Sequence, residues 1–353
     1  MSTEVPDPPR GKATRRQVLG GAGLLLLTAA CGRDTTPEAH GGAGFPVTIE
    51  HKHGSAEIPA PPRRVVTVGL TEQDYVLAFG VAPVGVREWF GGYPGALWPW
   101  ARKKLGDRPL PKVLPVEELN FEQIAALKPD AILGVNSGLT PDEYGKLSRI
   151  APTVAQPAEY ADYGAPWQEI TRIIGRALGR PKQAEALVPD IERRFEQARA
   201  DHPELRGSTG LLATSIDGSA YVYAEGPAPR FLTSLGLKLP KAAASLFSGD
   251  DRAPVKLSLE RLGVLDKADV LVLGVYGNPS TSVANKSVYQ ALDVARQGRD
   301  VIMPKMSRLN GALSFSSVLS LPTALDGLVP RLAAAIDADP ATAVSPVPSA
   351  TRG

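Results

Sequence analysis

Val65-Val66-Thr67-Val68-Gly69, followed at once by Leu70-Thr71-Glu72-Gln73-Asp74-Tyr75-Val76-Leu77-Ala78-Phe79, turns from a short β-branched apolar run into a segment of helical spacing. The first part reads as a strand, because branched side chains pack well on a pleated surface. Thr71 with Asp74 three residues on forms a variant capping box, so a helix is expected over 71–79. A strand feeding straight into a helix is the building unit of a parallel α/β sheet.

Working outward, the unit recurs. Strands are expected at 83–86, 131–135 and 153–155, with a short helix at 121–127. After residue 205 the pattern restarts with strands at 210–215, 221–223, 270–275 and 301–303. Between the halves, residues 181–201 begin with Pro181, which suits a helix start, and are rich in Ala, Glu, Gln and Arg. A helix of that length spans ~30 Å, about one domain diameter, and Pro189 inside it predicts a kink. The expected architecture is α/β, with two Rossmann-like lobes, 46–180 and 202–336, joined by one rigid long helix and enclosing a ligand cleft. Residues 31–45 read as a flexible tether and 337–353 as a disordered tail.

The chain has 353 residues, 43% hydrophobic and 22% charged, enough to bury two cores. Its formal charge of +2 comes wholly from residues 1–30, where Arg10, Lys12, Arg15 and Arg16 face only Glu4 and Asp7. A neutral body argues against nucleic-acid binding, which needs a basic footprint on the phosphates. The one Cys, Cys31, precludes an intrachain disulfide and a Cys-based metal cluster. It follows an apolar run, Leu24 to Ala30, that is preceded by the pair Arg15 and Arg16, in the order of an export signal. Small residues before a Cys resemble the lipobox of bacterial lipoproteins, although Thr28 stands where that pattern usually has Leu. The paired arginines resemble the twin-arginine export motif. These resemblances imply processing at Cys31, a lipid anchor, and residence on the extracytoplasmic face of the membrane.

Four further segments carry a wider resemblance. They are Ile58-Pro59-Ala60-Pro61-Pro62-Arg63-Arg64-Val65-Val66, Asn120 through Asp130 followed by Ala131-Ile132-Leu133, Trp167 with Ile174 through Arg180, and Leu257 through Leu262 followed by Ala268-Asp269-Val270-Leu271. In this order and spacing the chain resembles the binding proteins that serve ABC importers of ferric siderophores, haem and vitamin B12. The resemblance implies a monomeric receptor without chemistry of its own, handing cargo to a permease. It also implies that one Glu at the tip of each lobe docks on permease arginines, and these positions fall on Glu122 and Glu260. A ferric siderophore is the expected cargo, with haem or cobalamin the alternative and, in another class, a hydrolase or surface interaction protein on the same scaffold. No resident cofactor is expected, since iron arrives inside the chelate. No Gly-x-Ser-x-Gly elbow, Walker loop or dinucleotide fingerprint supports the hydrolase reading.

Of 21 aromatic residues, five fall in the window from Trp89 to Trp100: Trp89, Phe90, Tyr93, Trp98 and Trp100. Glycines and prolines break the same window, so it reads as a loop after a strand, where open α/β sheets bind ligands. Rings beside Arg87, Lys103 and Lys104 suit a large anion. Tyr75, Asn136, Tyr223, Arg230, Tyr276, Arg308 and Phe315, near strand ends or in loops, complete the candidate cleft. The helix start at 71–74 offers backbone amides to an anionic group, although Glu72 and Asp74 oppose that use. His51 and His53 share a strand face at ligand spacing, but no third ligand stands nearby, so an exposed strand or hairpin without metal is expected.

Overall fold

The computed structural model describes residues 44–247, 253–337, 342 and 344–349. The export signal with Arg15 and Arg16, the anchor Cys31 and almost all of the tether lie outside these residues. Phe45 packs against the first core and meets Gly179.

A hairpin of β1 (Val47–His51) and β2 (Gly54–Ile58) precedes the first sheet. That sheet holds β3 (Val65–Thr67), β4 (Gly85–Arg87), β5 (Lys112–Leu114), β6 (Ala131–Gly134) and β7 (Thr153–Ala155). Its order is β5-β4-β3-β6-β7, all parallel. Every residue of β3, β6 and β7 is buried, as expected of strands covered by helices on both faces.

The second sheet comprises β8 (Gly210–Ile216), β9 (Ser219–Tyr223), β10 (Val255–Leu257), β11 (Val270–Val275) and β12 (Asp300–Met303), in the order β10-β9-β8-β11-β12. It is mixed rather than purely parallel. β8, β11 and β12 run parallel, while β9 and β10 add on antiparallel. The cause is local: Asp217 and Gly218 close β8 onto β9 with φ of 45° and 81°, the two-residue turn whose twist matches antiparallel strands.

The helix Pro181–Asp201 joins the two halves. Ala184, Val188, Ile191 and Phe195 bury one stripe of it, at helical spacing. Pro189 does not interrupt it: the residue sits on the exposed face, where water can serve the carbonyl that loses its intrahelical partner. The helices Trp167–Ala177 and Leu321–Ile336 pack along it. Gly175 of the former comes so close to Ala184 that an added Cβ would stand 2.7 Å from the alanine methyl.

Two expectations need correction. Thr71 makes no side-chain cap; its hydroxyl accepts from Asn136 Nδ2 at 3.0 Å and its own amide donates to Glu72 Oε2 at 3.0 Å. The tail does not simply hang free: Arg331 Nε donates to the Ser345 carbonyl at 2.8 Å and Val347 is buried. Among the described residues no helix is long and apolar enough to cross a membrane.

Candidate functional site

The carboxyl ends of the first sheet and one face of β8 and β9 in the second border a cavity of about 410 Å³. Leu70 follows β3, Trp89 follows β4 and Asn136 follows β6 on one side; Thr214 on β8, Tyr223 at the end of β9 and Tyr276 after β11 line the other. The space fits a small-molecule ligand, and its place is where open α/β sheets bind them. Of the residues expected at a cleft, Trp89, Asn136, Tyr223 and Tyr276 therefore do meet across it.

The hydroxyls at its floor are ordered by each other. Tyr223 and Thr214 share a hydrogen bond of 3.1 Å. Tyr276 donates to Asn310 Oδ1 at 2.8 Å and lies 2.6 Å from Ser314 Oγ, while burial pushes its phenol up to about 12. On the opposite wall, Glu72 accepts the Asn136 amide at 2.6 Å, and burial raises its carboxyl from 4.5 to about 6. This carboxylate takes the amides of Thr71 and Asn136 for itself, so the helix start at 71–74 is no anion seat.

The remaining expected residues do not line this space. Trp98 is 1% exposed and Phe315 3%, and both belong to the core. Trp98 stacks on Trp100 at 5.1 Å between ring centroids and donates its indole N–H to the Phe90 carbonyl at 3.2 Å. Pro99 starts a helix, Pro99–Leu105, that turns this part of the presumed loop inward. Tyr75, also 1% exposed, Arg230 and Phe315 border a slot of only about 10 Å³ beside the cavity. Arg87 points into its own lobe, donating to the carbonyls of Val68 and Val116. Tyr93 and Arg308 line a separate groove of about 610 Å³ with Arg331 and Val347. Lys103 and Lys104 are exposed on the helix Pro99–Leu105.

His51 is buried rather than exposed, and its Nδ1 accepts the amide of His53 at 3.2 Å. Its imidazole is held toward the neutral form by burial first and by His53 second. His53 stacks on Tyr144 and bonds the Leu139 carbonyl at 2.7 Å, so both rings serve packing. Among the described residues no three His, Cys, Asp or Glu converge as a metal site would require.

Residues 85–274 match the family model described as periplasmic binding protein. The chain belongs to that family. This periplasmic binding protein is 36% identical to a solved periplasmic solute-binding protein of Mycobacterium smegmatis, with a TM-score of 0.73 over 82% of this chain and 98% of that one. PiaA of Streptococcus pneumoniae, solved in complex with ferrichrome, is 25% identical with a TM-score of 0.69, covering 83% and 99% of the two chains. The probable siderophore-binding lipoprotein YfiY of Bacillus subtilis is 26% identical over 228 residues, 64% of this chain and 67% of its own.

Sequence reasoning missed several lining residues of this binding protein, chiefly Tyr163, Glu225 and Ser314. The only sequence signal at Tyr163 is the Gly164 that follows it; its φ of 62°, rare for an aromatic residue, appears only in the structure. Glu122 and Glu260 are both exposed in the first turn of a helix, Phe121–Ala126 and the 3-10 segment Leu259–Lys267.

Proposed function

We propose that this protein captures a ferric siderophore outside the cytoplasm and delivers it to an ABC importer. The observation that carries the reading is the cavity of about 410 Å³ between the sheets, to which both lobes contribute aromatic rings and hydroxyls. A receptor needs such a preformed, largely apolar site with a few placed polar groups. Trp89 forms one wall of it, seated edge-on to Phe90 at 4.8 Å and tilted over Phe315 at 5.5 Å, a rigid face for a bulky chelate. The relative named for siderophores and the one holding ferrichrome support the same cargo class.

No catalytic step is assigned. Ser314 Oγ is committed to Tyr276 and to the Asn310 carbonyl, and among the described residues no His lines the cavity to act as its base. Iron stays in the oxygen shell of its chelator and the protein supplies no resident cofactor. Glu122 and Glu260 supply a docking charge on each lobe for arginines of the permease. Arg15 and Arg16 direct export, and a diacylated Cys31 holds the receptor, as a monomer, at the extracytoplasmic face of the membrane.

Titration of the purified protein with a panel of ferric chelates, haem and cobalamin, followed by intrinsic Trp fluorescence, tests the reading. Saturable binding of an iron chelate, recovered unchanged, is the expected result. Preference for haem or cobalamin, or indifference to the whole panel, would overturn it.

A further inference from the structure

Among the described residues, the walls of the inter-lobe cavity carry no Lys, Arg or His, and this restricts the charge of its cargo. We infer that the protein selects an uncharged ferric tris-hydroxamate, in which three singly charged arms cancel the charge of Fe(III), over tris-catecholates and citrate complexes that remain anions. This rests on the siderophore reading and narrows it.

Every cation that the sequence offered for an anionic cargo stands outside these walls. Arg87 serves two backbone carbonyls of its own lobe, Lys103 and Lys104 stand exposed on the helix Pro99–Leu105, and Arg308 lines the other groove. Arg230, the basic residue of the neighbouring slot, donates to the Gly164 carbonyl at 2.9 Å and bridges the two lobes. Its guanidinium feels Glu225 as a counter-charge, and Glu225 is itself the ionisable carboxylate of the cavity wall. Among the described residues the walls thus offer an anion no positive side chain.

A multiply charged anion entering such a space gives up its hydration and gains no ion pair, which costs far more than the same transfer of a neutral complex. A neutral tris-hydroxamate has what these walls match. Its methylene linkers suit Trp89, Leu70 and Leu212, and its carbonyl oxygens accept from hydroxyls such as those of Thr214 and Tyr223. Tyr163, 42% exposed and held at positive φ, presents a further uncharged ring to the same space.

The test is a titration of wild-type protein with ferrichrome, a ferric tris-catecholate and ferric dicitrate at low and high salt. The tris-hydroxamate is expected to bind roughly 100-fold more tightly than either anion, the scale set by an unpaired buried charge. Its Kd should hardly change with salt, because a neutral ligand has no charge to screen. Tighter binding of the catecholate or citrate complex would overturn the charge argument and leave the siderophore reading standing. Binding of no iron complex would remove both. Ile216→Lys, which adds a cation to the cavity wall, should narrow the preference at least tenfold; an unchanged ratio in that folded variant would also overturn the inference.

Discussion

Ser317 donates its hydroxyl to the buried carboxylate of Asp74, a residue 243 positions earlier in the chain. The same carboxylate oxygen accepts the indole N–H of Trp100 at 2.8 Å. An acid from the first lobe thus fastens the segment that leads into the helix Leu321–Ile336, at the inner face where the two halves meet.

Burial raises the Asp74 carboxyl from 3.8 to about 7, against the lowering by Ser317 and Trp100. Between those values the folded protein holds a proton that the unfolded chain has released. The stabilisation is therefore complete below the ordinary value and is lost as pH rises through the folded one. Asp74→Asn should gain stability relative to wild type by more than about 1 kcal/mol from pH 5 to pH 8. Urea denaturation of both proteins at the two pH values reads this directly, and Glu72, raised in the same direction, is common to both.

Gly311, on the helix Arg308–Phe315, lies against the Trp98 indole so closely that an added methyl would stand 2.7 Å from Cζ2. Trp98 is itself wedged between Phe90, Tyr93 and Trp100 and has nowhere to move. Gly311→Ala should cost about 1–3 kcal/mol, the usual penalty of overpacking. Thermal unfolding measures it, and unaltered stability would mean that this packing is looser than described.

Trp89→Ala should weaken the best chelate about tenfold or more, as removal of a central aromatic anchor does. It should also remove most of the ligand-sensitive fluorescence, because Trp98, Trp100 and Trp167 are all buried. Retention of both affinity and signal would move the site elsewhere.

Charge reversal at Glu122 and Glu260 together should abolish uptake by whole cells while leaving chelate affinity and melting temperature near wild type. Both residues are exposed, so the fold does not depend on their sign.

Cys31→Ala should release the protein from the membrane fraction, read by immunoblot of washed membranes and medium. Equal membrane association would remove the anchor from the reading.

The central strands were legible because branched, fully apolar runs such as Val270–Val275 have few other uses. β5 and β10 were not: Lys112-Val113-Leu114 and Val255-Lys256-Leu257 each carry an exposed Lys, whereas the equally short edge strand Thr153–Ala155 is fully buried and reads as apolar. The aromatic window was legible as a concentration of rings, but which rings turn inward depends on Gly311 and Phe315, some 200 residues away, and no local pattern carries that. Thr71 failed as a cap for a related reason. Its neighbour Glu72 is fully buried and serves the amides of Thr71 and Asn136 itself, a role decided by β6 rather than by the helix.

The uninterrupted helix from Pro181 to Asp201 is gripped along its length by two others, which makes it a stiff beam between the two sheets. If Glu122 and Glu260 dock on the permease as proposed, a beam that resists bending would keep their spacing nearly the same with and without cargo. A transporter that gauges only that spacing meets vacant and laden receptors as near equals. Vacant copies then queue at the same gate, and the rate of iron acquisition follows the laden fraction of the population more than its total number.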